Sequence, residues 1–173
     1  MQALIIIDMQ RWMFRTPDRA AQLDGLVPQI NRLAHEFEVA GRPIFEVRTS
    51  HKADRGTWSR LMLKYDHACL IEGTDDVCPI DGLVIPRSAR HVSKTANSAF
   101  MGTDLDDRLR REGVNSITLC GVFMDGCVGL SAADAAQLGY GVTLAANCIG
   151  YIDANHNRMM AEWLNVMFET SSE

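Results

Sequence analysis

The sequence predicts an α/β domain in which helices cover both faces of a parallel sheet. Three observations carry that prediction. Short, near-continuous apolar runs such as Ala3–Ile7 (ALIII) and Ser116–Val122 (SITLCGV) are the mark of strands buried on both faces. Segments with apolar residues at helical spacing alternate with them along the chain. The length of 173 residues, 47% hydrophobic and 23% charged, suits one core and is short for two, so residues 1–173 are read as a single domain.

Taken in order, Ala3–Ile7 is the first strand and ends at Asp8. Leu26–Ala40 carries Leu26, Ile30, Leu33 and Phe37 on one helical stripe, stopped by Gly41 and Pro43. Ile44–Val47 is the second strand. Residues 50–80 have no clean period and read as a long excursion with one short helix, Trp58–Lys64. Leu83–Ile85 and His91–Ser93 are short extended segments with Pro86 favouring a turn between them. Thr103–Arg111 is helical, with Thr103 as N-cap and Leu105 and Leu109 four apart. After the strand Ser116–Val122, the Ala- and Leu-rich helix Val128–Leu138 stops at Gly139. A strand at Val142–Ala146 and a helix at Asn155–Phe168 follow, and Thr170–Glu173 is a loose tail.

Composition excludes several classes of function. The formal net charge is −5, so there is no cation excess to neutralise phosphates, and no nucleic-acid partner is expected. No apolar run reaches the length of a membrane span, and no basic region followed by an apolar stretch marks an export signal. A cytoplasmic location is the expectation. Cys69, Cys78, Cys120, Cys127 and Cys148 are odd in number and lack zinc-knuckle spacing, so they read as reduced thiols.

Ligands of open parallel sheets bind beyond the carboxyl ends of the strands. The residues there are Asp8, Arg48–Ser50, Lys94, Phe123–Cys127 and Asn147. Cys127 lies between a strand and a helix, where unpaired backbone N–H groups and the helix dipole stabilise a thiolate. Gly126 before it allows close approach of a ligand to the backbone. Cys127 and Val128 stand where a phosphate loop has its Lys and Ser/Thr, position 133 is Ala where a thiol phosphatase needs Arg, and no dinucleotide glycine motif follows any strand. Asp8, directly after three isoleucines, loses solvation and becomes a better proton acceptor. Lys94 completes a set of nucleophile, base and electrostatic partner without a histidine. No two histidines and neighbouring carboxylates form a metal set, so no metal and no cofactor are expected.

Ala3–Gln10 (ALIIIDMQ), Lys94–Leu105 (KTANSAFMGTDL) and Gly121–Val128 (GVFMDGCV) resemble, in order and spacing, the signature segments of the isochorismatase-like cysteine hydrolases; Ala132–Tyr140 (AADAAQLGY) continues the pattern. The resemblance implies a three-layer αβα fold with a mostly parallel, about six-stranded, Rossmann-like sheet. It implies a triad in which Cys127 attacks a carbonyl, Asp8 shuttles the proton to the leaving amine and Lys94 holds the ionised pair. By position it also implies a non-proline cis bond at Val122–Phe123, with the N–H groups of Phe123 and Cys127 forming an oxyanion hole. A homodimer or homotetramer is common in such families.

The departures from the pattern narrow the function. Nicotinamidases of the family carry an Asp-x-His and a further His for a metal; here the stretch is Thr49–Ser50–His51, then Lys52, Ala53 and Asp54. Met124 stands where Thr is usual and Asn147 where Asp is usual. The reading is therefore a metal-independent hydrolase of a small amide or ureido C–N bond, working through a Cys127 thioester. Phe14, His51, Trp58 and Phe100 are the expected pocket residues. The rivals are an isochorismatase-type vinyl-ether hydrolase with Asp8 as general acid, and a non-catalytic ligand-binding or thiol-sensing relative.

Overall fold

The computed structural model describes residues 1–172. Its elements are β1 (Gln2–Ile7), α1 (Pro17–Ala20), α2 (Leu23–Val39), β2 (Ile44–Thr49), α3 (Arg60–Tyr65), β3 (Arg90–Lys94), α4 (Leu105–Arg111), β4 (Ser116–Gly121), α5 (Gly129–Gln137), β5 (Gly141–Ile149), α6 (Ala154–Phe168) and β6 (Ser171–Ser172). The strands pair in the order β3-β2-β1-β4-β5-β6, and every pairing is parallel. No helix among the described residues is long and apolar enough to cross a membrane.

The order explains why the strands read as unbroken apolar runs. On β1, Ala3, Ile5 and Ile7 pack with Leu105, Leu109, Ala132 and Leu164 in one layer. Leu4 and Ile6 pack with Leu26, Ile30 and Phe37 of α2 in the other. Both faces of the central strand are dry, so alternation is lost. The glycine stops work as expected. After α2, Gly41 N–H donates to Glu38 O and Arg42 N–H to Phe37 O; after α5, Gly139 and Tyr140 make the same two bonds to Ala136 and Ala135.

The chain winds outward from β1 to β2 and β3, then crosses back to β4 on the other side of β1. That reversal opens a crevice above the carboxyl ends of β1 and β4. Gly121 closes its floor. Its φ is +107°, and a Cβ there would stand 2.1 Å from Ile7 O and 2.7 Å from Ile7 N. Neither backbone atom can yield without breaking the β1–β4 ladder. We expect Gly121→Ala to lose more than about 3 kcal/mol of stability in urea denaturation. A loss below 1 kcal/mol, by order of magnitude, would contradict the closeness of the two strands.

Four local expectations change. Leu83–Ile85 pairs with no strand, because Asn31 of α2 takes Val84 N–H (2.8 Å) and donates to Gly82 O (2.9 Å). The helix α4 begins at Leu105 rather than Thr103; the Thr103 hydroxyl accepts from Leu105 N–H and donates to Ala99 O. The tail is not loose where it is described: Ser171 and Ser172 pair with Thr143 and Leu144 of β5, while Glu173 lies outside the described residues. Asn147 is not past a strand end. Leu119 pairs with Leu144 but Gly121 with Ile149, so residues 145–148 bulge from β5 and leave Asn147 exposed within it.

Candidate active site

Asp8, Thr49 and Lys94 stand side by side because the register demands it. Ile7 pairs with Val47, and Thr49 pairs with Lys94, so the ends of β1, β2 and β3 are level. Lys94 is two strands from Asp8, about 10 Å by strand spacing. Its long stem passes over Thr49 to bring Nζ to 2.8 Å from Asp8 Oδ2. On the way Nζ donates to Thr49 Oγ1 (2.7 Å) and Ala96 O (3.0 Å), and it lies 3.4 Å from Cys127 Sγ. Asp8 Oδ1 accepts from Thr49 N–H (2.9 Å) and Thr49 Oγ1 (3.0 Å). Asp8 and Lys94 are 0% and 2% exposed. A residue shorter than lysine at position 94 would not carry a cation to Asp8.

The wiring includes a residue that the sequence reading did not single out as functional. Gln10 is buried, takes Thr49 N–H on Oε1 and donates to Thr49 O and Val77 O. Gln10 thus clamps the strand end on which the Asp8–Lys94 pair rests. Its signal was available: a glutamine two residues past a buried carboxylate in an apolar run has a desolvation cost that only a hydrogen-bonding task offsets.

Cys127 arrives from β4. The peptide bond Val122–Phe123 is cis, and Met124–Val128 makes one wide turn in which Val128 N–H donates to Phe123 O. Ser131 ties the turn down by donating to Cys127 O (2.6 Å) and accepting from Ala99 N–H. The sequence reading placed the thiol at a helix N-terminus that would favour thiolate. Here other forces win. Burial first, then the Asp8 carboxylate, push the thiol up to about 12, against the pull of the Lys94 ammonium. Lys94 itself is pulled down by burial, but Asp8 and then Cys127 outweigh that and hold it above its ordinary value. The resting site is a neutral thiol beside a carboxylate and an ammonium, so attack requires proton transfer to Asp8. Accordingly, iodoacetamide should label Cys127 slowly at pH 7, about tenfold faster per pH unit up to pH 9. Peptide-resolved mass spectrometry showing a plateau below pH 8 would contradict it.

Cys127 lies on the floor of a cavity of about 330 Å³. Trp12, Met13, Met62, Leu70 and Phe123 supply apolar wall; Thr49, His51, Asn97 and Asp125 supply polar wall. Asp125 takes Ile152 N–H on one oxygen and Asp153 N–H on the other, at 2.9 Å each. His51 is 4% exposed, and its Nδ1 faces Thr57 O at 2.6 Å. A carbonyl only accepts, so Nδ1 carries the proton. Burial and the nearby Lys94 ammonium lower its proton affinity against the Thr57 bond, which keeps the ring neutral.

The Isochorismatase domain family model matches residues 2–171. The chain belongs to the isochorismatase family. The uncharacterized family protein YecD of Escherichia coli O157:H7 is 27% identical over 168 residues, covering 90% of this chain and 83% of its own. A maleamate amidohydrolase of Pseudomonas putida is 28% identical over 156 residues, covering 86% and 71%. The crystal structure of N-carbamoylsarcosine amidase from Thermoplasma acidophilum has a TM-score of 0.85 at 23% identity, covering 99% of this chain and 95% of that one. This isochorismatase-family hydrolase therefore shares its three-layer αβα fold with an amidase.

Within the family frame, the expected site residues divide. Cys127, Phe123 and His51 line the cavity, and the buried Asp8–Lys94 pair meets the Cys127 thiol from beneath it. Phe14 lies behind it, its ring 6.3 Å from that of Phe123. Trp58 turns away, donating to Lys52 O with Arg55 over its ring; Ser59 and Met62 take its place in the wall. Phe100 packs on Tyr140, 6.0 Å between centroids, on the α5 side. Aromatics in a small α/β chain have two dry layers to fill, and these three are held by them or by local partners. Of the two departures from the family pattern, Met124 is buried in the α5–α6 core and Asn147 faces a groove beside Gln29 of α2. Neither lines the cavity. No group of three or more His, Cys, Asp or Glu among the described residues could hold a metal ion. The donor set of His51, with Thr49 and Ser50 upstream, does not fit one.

Proposed function

We propose that the enzyme hydrolyses a small amide or ureido C–N bond through a Cys127 thioester, without a metal. The observation that carries this is the convergence of Asp8, Lys94 and Cys127, from three strands, with the Cys127 thiol lining the cavity and the buried Asp8–Lys94 pair beneath it. The maleamate amidohydrolase relative supports the class of bond.

In this reading Cys127 Sγ attacks the carbonyl carbon as its proton passes to Asp8. Lys94 stays protonated throughout and offsets the negative charge that moves between sulfur and carboxylate. The carbonyl oxygen, now negative, is received by the N–H groups of Phe123 and Cys127. Collapse breaks the C–N bond, and Asp8 gives its proton to the leaving nitrogen, which departs as ammonia or an amine. Asp8 then takes a proton from water, the hydroxide attacks the thioester, and the thiolate leaves with the proton returned. One amide and one water yield one acid and one amine. The partner is a small molecule, in keeping with the cavity's volume.

The test is ammonia release from a panel of small amides and ureido compounds, with and without a strong chelator. Release that survives chelation is expected. Release abolished by the chelator and restored by a divalent metal would overturn the metal-free part. Silence on the whole panel with pyruvate release from isochorismate would overturn the bond assignment.

A further inference from the structure

The segment between β1 and α2 carries three arginines whose situations differ. Arg11 is matched by Asp75 and Asp81, and Arg15 by Asp76. Arg19 makes no ion pair with any described residue, although it is the one that lines the cavity. Its guanidinium lies over the Phe123 ring, 5.1 Å from the centroid. Its single hydrogen bond to protein is a long one, 3.5 Å, to Met13 O. A guanidinium has five donors, so most face outward from that stack. Lys94 is already held by Asp8, and Asp125, the one carboxylate among the described residues that line the cavity, accepts a backbone N–H on each oxygen and makes no ion pair with Arg19. A cation fixed by stacking, spared any carboxylate and set beside the backbone that receives the oxyanion is built to meet an anion from outside.

We propose that Arg19 anchors a carboxylate on the substrate, so that the substrate class is the monoamide of a short dicarboxylic acid or an equivalent acid carrying an amide at its far end. The proposal rests on the amide-hydrolase reading for its reacting end only. Stacking on Phe123 places the anchor near one oxyanion donor, so the two ends of a short substrate are received by one residue and its neighbour. An anchor that does not touch the reacting atoms holds the ground and transition states alike.

The experiment compares succinamate and glutaramate with the neutral butyramide and valeramide. In wild-type protein, kcat/KM favours the acids. Arg19→Gln should lower kcat/KM for the acids about 10- to 100-fold, mostly through KM, and leave the neutral amides within about threefold. Arg19→Lys, which keeps charge but loses the planar fork, should recover part of the loss. Equal loss on acids and neutral amides would show Arg19 merely supports Phe123, and would overturn the proposal. So would equal use of both classes by the wild type. Calorimetric titration of Cys127→Ala protein with the same four compounds separates this from the hydrolase reading. Acid-selective binding that Arg19→Gln removes, without turnover by wild type, keeps the anion anchor and discards the hydrolysis. No binding preference for the acids overturns the anchor whether or not amides are cleaved.

Discussion

Cys127→Ala should abolish amide hydrolysis, lowering kcat by about 10⁴-fold or more, while the protein remains folded. Of the two thiols that line the cavity, Cys69 and Cys127, it is Cys127 that Lys94 Nζ reaches beside Asp8, and this thiol forms the acyl intermediate in the proposed reaction. Asp8 and Lys94 are buried beneath it and accept or hold protons rather than attack. The fold should barely register the change, because Cys127 is partly exposed and the turn carrying it is tied by Ser131 and Phe123 through backbone oxygens. Ammonia release beside a thermal melt checks both halves. A variant that keeps most of its activity would move the chemistry from sulfur to Asp8, as a vinyl-ether hydrolase with a general acid requires.

Lys94→Met should cost about 3–5 kcal/mol of stability in urea denaturation, and inactivate as well. The methionine fills much the same space, so packing is not the cause. The cause is Asp8, whose carboxylate would be left in a dry site without its cation, although Thr49 still donates to it. The double variant Asp8→Asn/Lys94→Met should regain a large part of the stability but none of the activity. The pH dependence follows from the direction of the shift. Lys94 is held above its ordinary value, despite burial, by Asp8 and Cys127. A cation raised in the folded state stabilises fully below its unfolded value, about 10.4, and loses that contribution as pH rises through the folded value. The gap between wild type and Lys94→Met should therefore be constant from neutral pH to about pH 10 and narrow above it. A gap that closes already by pH 8 would show that the ion pair is not what Lys94 contributes.

The placement of Asp8, Lys94 and Cys127 at strand ends was legible from the chain alone. Asp8 and Cys127 follow runs whose apolar pattern marks a strand, Lys94 follows the short extended segment His91–Ser93, and parallel sheets put their ligands at such ends. Gly41 and Gly139 marked helix stops for an equally local reason, since the bonds that end a helix span only six residues. The aromatics were not legible. Phe14, Trp58 and Phe100 are equally suited to a pocket wall or a core, and which they join depends on what folds against them.

What the sequence determined by itself is the set of properties that short stretches carry: strands dry on both faces, helix stops, and chemically apt residues at the strand ends. Only the tertiary structure decided how those residues interact. Cys127 keeps its proton because the fold buries it and then sets Asp8, 119 positions earlier in the chain, beside it. Gln10 and Thr49 matter because strand register brings them under that pair. Arg19 is open to a ligand while Arg11 and Arg15 are not, because the loop carrying Asp75, Asp76 and Asp81 folds back on two of the three. A charge's neighbours fix its proton affinity and its freedom, and neighbours distant in sequence are chosen by the fold.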